Sequence, residues 1–174
     1  MHSKEWGQYA WYTIHLLTLM YNPSENKKFY KGFIEHIGNA LPCPVCRNHF
    51  KLRATKPIIN KLLESQDIMV NWFHELHNHL NLVLGKKKLS LKEAKKLYIN
   101  SDGNMIINEK KIQQFLKYII HDLPRHSNHR LNHIRGLVHY LMIIYPIKSK
   151  REINIMDIKT TDELYKWFDN FKKK

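Results

Sequence analysis

Leu41-Pro42-Cys43-Pro44-Val45-Cys46-Arg47-Asn48-His49-Phe50 is the stretch on which the reading of this chain turns. Pro44 suits the first position of a helix, because the N–H it lacks would have had no partner there. A helix therefore opens at the motif, with Cys43 at or just before its start, near the positive end of the helix dipole. Cys46 follows within one turn, close enough to form a small strained disulfide with Cys43. Helical pattern on both sides argues against a thioredoxin-like oxidoreductase, which needs a βαβ unit around such a pair.

Outward from the motif the periodicity is helical almost throughout, and the fold class read from it is all-α. From about Ser3 to Tyr21, Trp11, His15 and Leu19 recur every four residues and stack on one face. Asn22-Pro23-Ser24 breaks that helix. A second helix carries Phe29, Phe33 and Ile37 in register and is expected to close at Gly38-Asn39. Gln66 to Leu84 is the longest clear helix, with Trp72, Leu76, Leu80 and Leu84 at spacing four and His74, His77, Asn78 and Asn81 on the adjoining face. Gly85 stands where a left-handed cap is expected, and Lys86-Lys87-Lys88 complements the helix end. Ser90-Leu91-Lys92-Glu93 reads as a capping box opening a short helix to about Tyr98. Ser101-Asp102-Gly103-Asn104 is a turn and the expected boundary, dividing the chain into 1–100 and a helical extension, 104–174. Within the extension, helical patterns run at Lys110–Asp122, Ser127–Tyr145 and Asp162–Phe171, separated by Pro124 and Pro146, with a weak strand signal at Met105–Asn108.

Composition bounds the function. The chain has 174 residues, of which 43% are hydrophobic, enough for a packed core. No apolar run approaches the roughly 20 residues of a membrane helix, and Met1-His2-Ser3-Lys4-Glu5-Trp6 does not read as a secretory signal. Lys+Arg minus Asp+Glu is 29 − 15 = +14. That charge steers acidic partners or is a solvated surface, and it makes a basic helical nucleic-acid module the main rival class. Against that rival, Lys and Arg are spread along the chain with no recognisable reading helix.

Only two cysteines exist, so a disulfide framework is excluded and the pair reads as chemical. A helix N-terminus stabilises a thiolate, lowering thiol pKa to roughly 3.5–7.5 from about 8.5. Two other readings stay open on spacing alone: an inert pair, and a zinc half-site drawing on His49 or His36, although no second ligand pair stands at zinc-finger spacing. His129 and His133, four apart, could hold a metal, but a solvated helix face is the stronger reading. No metal is assigned. The absence of Gly-x-Gly-x-x-Gly excludes a Rossmann dinucleotide site.

Three ordered blocks carry a resemblance. They are Trp6-Gly7-Gln8-Tyr9-Ala10-Trp11-Tyr12-Thr13-Ile14-His15, the Leu41–Phe50 motif, and Trp72 through Lys86 with its Trp…His-Asn-x-x-Asn…Leu-Gly-Lys pattern. Together they resemble the Erv/ALR family of FAD-linked sulfhydryl oxidases, especially the short forms of large cytoplasmic DNA viruses. The resemblance implies a four-helix bundle plus a short fifth helix over about residues 1–100, holding FAD non-covalently. It implies Cys43 and Cys46 as the redox pair. It places Gly7, Trp11, Tyr12 and His15 around the flavin and adenine, and His77, Asn78 and Asn81 on adenine, ribose and phosphates. Lys86 would meet the phosphates, Trp72 would pack beside the cofactor, and Tyr98 falls where cellular members have a stacking Trp.

The activity so implied takes two electrons from a substrate dithiol at Cys43–Cys46 and passes them through flavin to oxygen, giving hydrogen peroxide. The shuttle cysteines of cellular members are absent, so the expected donor is a thiol protein or a separate carrier with its own Cys-x-x-Cys. A homodimer without membrane attachment, in host cytoplasm or the virion as part of a viral disulfide relay, completes the expectation.

Overall fold

The computed structural model describes residues 3–124, 128, 130–145 and 154–172. The first helices are α1 (Ser3–Leu19), α2 (Lys27–Ala40), α3 (Pro44–Arg53), α4 (Lys56–Leu62), α5 (Gln66–Val83) and α6 (Leu91–Lys95). After a turn come α7 (Glu109–His121), α8 (Leu131–Ile144), a 3-10 turn at Ile155–Asp157 and α9 (Thr161–Lys172). The all-α expectation holds. Among the described residues the β pairing is a lone bridge between Ile99 and Met105, which is what the strand signal at 105–108 amounts to.

Several helix ends differ from the sequence reading for local physical reasons. Helix α4 was not expected as a separate element: Thr55 caps it in extended backbone, and the proline following Lys56 starts it cleanly. Helix α2 does not stop at Gly38-Asn39 but runs to Ala40, with Gly38 buried inside it. A Cβ at Gly38 would lie 2.6 Å from the Phe50 ring, so glycine there serves the close approach of α3. The capping box at Ser90 and Glu93 forms, but α6 ends at Lys95, and Leu97 and Tyr98 continue in turns.

The bundle is locked by tyrosines and a glutamine. Tyr30 donates to the Leu17 carbonyl at 2.6 Å, Tyr21 to the Leu63 carbonyl at 2.8 Å, and Gln66 to the carbonyls of Leu19 and Tyr21. These bonds tie the ends of α1, α2, α4 and α5 together and give the buried phenols of Tyr21 and Tyr30 their partners.

Helices α7 and α8 cover this bundle. Helix α7 packs on α1 and α8 on α2, and their apolar residues join the same core. On α7, Ile112, Phe115, Leu116, Ile119 and Ile120 are all fully buried. Each such side chain contributes roughly 1.5–3 kcal/mol of transfer free energy. Between α2 and α8 the fit is reciprocal: Gly32 leaves room for Tyr140, and Gly136 leaves room for His36. No helix among the described residues is long and apolar enough to cross a membrane.

Candidate functional site

The Cys-x-x-Cys motif sits as its sequence suggests. Cys43 is the N-cap of α3 in extended backbone, Pro44 opens the helix, and Cys43 and Cys46 are joined as a disulfide with Cα atoms 5.1 Å apart. The Cys46 N–H points at Cys43 Sγ across 3.2 Å. A sulfur in this position receives a helix-start N–H together with the positive end of the dipole, which favours its thiolate once the pair is reduced. Both cysteines are half-buried against the core, while Val45 between them is 62% exposed. One turn on, Phe50 packs edge-on to Trp72, which in turn stands edge-on to Phe73, joining α3 to α5.

A second cluster forms between α1, α5 and the turns that follow α6. Trp11 and His77 stack nearly parallel, 4.2 Å between centroids and 4° between planes. His15 Nε2 and His77 Nδ1 share a hydrogen bond of 2.9 Å, so one nitrogen donates and the other accepts. Tyr98 closes the group, its ring 5.7 Å from His15 and 5.6 Å from Tyr12.

Burial dominates the protonation of this cluster. It pushes His15 down to about 3, with the neighbouring His77 and His74 adding to the fall. It pushes His77 down to about 4, helped by His74 and Lys86. Both imidazoles are therefore neutral at pH 7, each able to donate at one nitrogen and accept at the other. Burial likewise raises the Tyr98 phenol to about 12.

Beside the cluster lies a tight crevice lined by His15, Thr18, Leu19, Val70, His74, Leu91, Ala94, Lys95 and Tyr98. Leu91 and Lys95 also line a neighbouring surface pocket of about 560 Å³, whose other walls are Lys92, Lys96, Ile99 and Asn100. The inner end is thus aromatic and imidazole-rich, and the outer end carries three lysines. That gradient suits a molecule with flat heteroaromatic rings at one end and phosphates at the other.

Residues 8–99, just over half of the chain, match the model of the Erv1 / Alr family. The chain belongs to that family. Its similar curated relatives are viral. One, from Acanthamoeba polyphaga mimivirus, is named a probable FAD-linked sulfhydryl oxidase; it is 35% identical over 98 residues, covering 54% of this chain and 68% of the relative. Two others are named FAD-linked sulfhydryl oxidase and come from African swine fever virus. The Malawi isolate's protein is 34% identical over 104 residues (58% of this chain, 86% of the relative), and the Kenya isolate's is 33% identical over 99 (55% and 82%). No solved structure matches the chain.

The Erv1 / Alr segment spans α1 to α6, so it contains both the disulfide and the imidazole cluster, while α7 to α9 lie beyond it. The residues singled out from sequence and those lining the crevice fall together into three groups. Trp11, His15, His77 and Tyr98 come together in the cluster. Lys86 is close enough for its charge to depress His77, and its N–H closes on the Asn81 carbonyl at 2.7 Å, which sets both at the end of α5.

The second group is engaged elsewhere. Asn78 is buried and uses its amide on Leu89, donating to the carbonyl at 2.8 Å and accepting from the N–H at 3.1 Å, with His74 3.0 Å away. In this arrangement it pins the segment leading into α6. The Tyr12 hydroxyl donates to the Ile106 carbonyl and accepts from the Asn108 N–H, though its ring faces Tyr98. Trp72 belongs with Phe50 and Phe73 beside the disulfide helix. At Gly7 a Cβ would meet nothing within 4 Å, so no close approach there requires glycine.

The third group is what sequence did not single out as cofactor-lining: Thr18, Val70, His74, Leu91, Ala94 and Lys95 on the crevice wall. His74 carried a signal, lying one turn from Asn78 on the polar face of α5. The lysines of α6 read only as helix-end charge. Of the histidines weighed for zinc, His36 faces His133 and Tyr140 between α2 and α8, His49 is exposed, and His129 lies outside the described residues. Among the described residues no group of three or more His, Cys, Asp or Glu side chains is placed to hold a metal ion.

Proposed function

We propose that this chain is an FAD-dependent sulfhydryl oxidase that draws electrons from substrate thiols at Cys43–Cys46 and delivers them to oxygen, with hydrogen peroxide as product. The observation that carries the reading is a Cys-x-x-Cys disulfide at a helix N-terminus, within the same Erv1 / Alr segment as a half-buried, neutral imidazole–indole cluster. Relatives that match over half of the chain are named FAD-linked sulfhydryl oxidase, the mimivirus protein as a probable one.

The donor set fits the cofactor. Trp11, His77, His15 and Tyr98 offer flat faces and neutral hydrogen-bonding nitrogens for ring systems, and Lys86, Lys92, Lys95 and Lys96 offer cations for two phosphates. When bound, FAD supplies the two-electron acceptor that restores the disulfide and passes the electrons to oxygen.

The rest of the cycle belongs to the protein's sulfurs. A substrate thiolate attacks Cys43 Sγ; the Cys43–Cys46 bond breaks, and Cys46 leaves as a thiolate that takes up a proton. The substrate's second thiolate then attacks the mixed disulfide at its own first sulfur and releases Cys43. The substrate is oxidised to a disulfide and the pair is left as two thiols, so the exchange moves two electrons and two protons. With no cysteine outside the pair, electrons reach Cys43 from a separate thiol protein or carrier.

The setting belongs to the same proposal: a viral disulfide relay in host cytoplasm or virion, with the chain as a homodimer. Light scattering at 42 kDa (2 × 21.0 kDa) supports the dimer, and a single species at 21.0 kDa rejects it.

The test of the activity is direct. Purified protein is expected to carry flavin absorbance and to consume oxygen with dithiothreitol, while Cys43→Ser and Cys46→Ser both abolish turnover. Colourless protein that neither retains added FAD nor consumes oxygen refutes the reading.

A further inference from the structure

The backbone just ahead of the redox pair is held from an unexpected direction. The Leu41 carbonyl, two residues before Cys43, accepts hydrogen bonds from two guanidinium groups: Arg47 Nη1 at 2.7 Å and Arg130 Nη1 at 3.1 Å. Arg47 is local, in the first turns of α3. Arg130 lies 89 residues away, caps the start of α8, and falls outside the Erv1 / Alr segment.

Arg130 is itself fixed. Its Nη2 reaches the Asp122 carboxylate at 2.7 Å and the Asp122 carbonyl at 3.4 Å, and the two side chains are only 10% and 17% exposed. Its backbone is left-handed, with φ 68°, a conformation that costs a residue bearing a Cβ and persists where surrounding contacts hold it. The two guanidiniums also sense each other. Burial lowers the Arg47 pKa, the Arg130 charge lowers it further, and Asp122 opposes them.

We propose that Arg130 is a positioning residue for the redox disulfide: anchored by Asp122, it clamps the Leu41 carbonyl jointly with Arg47 and sets the charge field in which Cys43 ionises. The Leu41 carbonyl is at most about 7 Å of chain from Cys43, and Arg130 Nη1 stands 3.1 Å from that carbonyl, which puts the cation on the order of 10 Å from Cys43. That is comparable to the Debye length of about 8 Å at physiological salt, and a mostly buried pair is screened less than an exposed one. The Arg130 cation therefore adds to the helix N-terminus in favouring the Cys43 thiolate, and the Asp122 anion offsets it. A pair whose reduced form is stabilised in this way is the more oxidising one. This gives the region beyond residue 99 a part in the chemistry of the segment before it.

The two charges make predictions of opposite sign, which a packing defect does not. The readout is the rate of Cys43 alkylation by iodoacetamide against pH, followed by mass spectrometry on the full chain. A Cys46→Ser background leaves one thiol while keeping the backbone N–H that faces Cys43 Sγ. Arg130→Gln, which still offers an amide to the Leu41 carbonyl, is expected to raise the Cys43 pKa by about half a unit, a threefold loss of thiolate below the pKa. Asp122→Asn is expected to lower it by a similar amount. With Cys46 restored, the equilibrium with glutathione shifts about threefold in the matching directions, or about 14 mV.

Arg130→Lys, which keeps the charge, is expected to stay within about 0.2 unit of the parent. It carries the test with Asp122→Asn if Arg130→Gln does not fold. Shifts of the same sign in Arg130→Gln and Asp122→Asn overturn the proposal. So do unchanged Cys43 profiles in folded variants, or an Arg130→Lys profile displaced as far as that of Arg130→Gln. The alkylation rate involves neither flavin nor oxygen, so it stands or falls separately from the oxidase reading.

Discussion

Acid should weaken this fold through one buried imidazole, and the size of the effect follows from where His15 sits. Its imidazole is 6% exposed and bonded to His77 at 2.9 Å, and burial holds its pKa at about 3, against about 6.5 in an unfolded chain. Between those values the unfolded chain binds a proton that the folded one refuses, so stability is intact above pH 6.5 and falls as pH drops toward 3. From pH 7.5 to 5.5 the loss integrates to about 1.4 kcal/mol for His15 alone. His77, held at about 4 but more accessible, adds a smaller share after solvent screening. The perturbation is His15→Gln, whose side-chain amide can take the place of Nε2 without titrating. Urea denaturation at both pH values gives the measurement, and the ten histidines other than His15 and its partner His77 cancel in the comparison. The parent is expected to lose about 1.4 kcal/mol more than His15→Gln over this interval. Equal losses in the two proteins would refute the reasoning.

Gly136→Ala sets two effects against each other. Helix propensity favours alanine by about 1 kcal/mol, but the new Cβ would stand 2.5 Å from the His36 ring, and overpacking typically costs about 1–3 kcal/mol. A net fall in thermal midpoint is expected by calorimetry, and a rise refutes the close α2–α8 contact. Tyr12→Phe removes the bridge to Ile106 and Asn108 and is expected to cost about 1 kcal/mol by urea denaturation, with faster proteolysis near Gly103. Trp11→Ala removes the 4.2 Å stack on His77 and is expected to weaken FAD retention roughly tenfold, read by titrating flavin fluorescence. Truncation after Asn100 uncovers the α1 and α2 faces on which α7 and α8 pack, so the product is expected to be insoluble or molten by near-UV circular dichroism.

What the sequence disclosed, and what it did not, divides along the range of the interactions. Helix positions and caps were legible because they are local: Pro44 at a helix start, the Ser90–Glu93 box and left-handed Gly85 all follow from nearest neighbours. Gly38 misled because a glycine that ends a helix and one that admits a neighbouring ring look alike until Phe50 is placed. On α5 the apolar line at Trp72, Leu76, Leu80 and Leu84 is not the buried face: Leu84 is 50% exposed, while Phe73, His74 and Asn78 are buried. Hydropathy misses that face because His74 and Asn78 are satisfied by each other and by Leu89, partners that only folding supplies. The Cys43–Cys46 pair and the Trp11–His15 wall were legible as residue types at helical spacing. Lys95 and Leu91 on the crevice wall were not, since α6 reaches the site only through the chain reversal that Asn78 pins.

The same long-range ties explain why the residues outside the family segment bear on the site inside it. Tyr12 follows Trp11 on α1, and its hydroxyl is spent on the chain at 106 and 108; Arg130 reaches back to Leu41, two residues before Cys43. One tie steadies the wall of the imidazole cluster and the other the entry to the disulfide helix. Both run from neighbouring parts of the same core, because α7 lies on α1 and α8 on α2. A loosening of α7 or α8 is therefore felt at both ends of the proposed electron path, through two hydrogen-bonded contacts with no residue in common. Changes at Tyr12 and at Arg130 should accordingly add in their effects on turnover when combined, since additivity is what independent, separated contacts give.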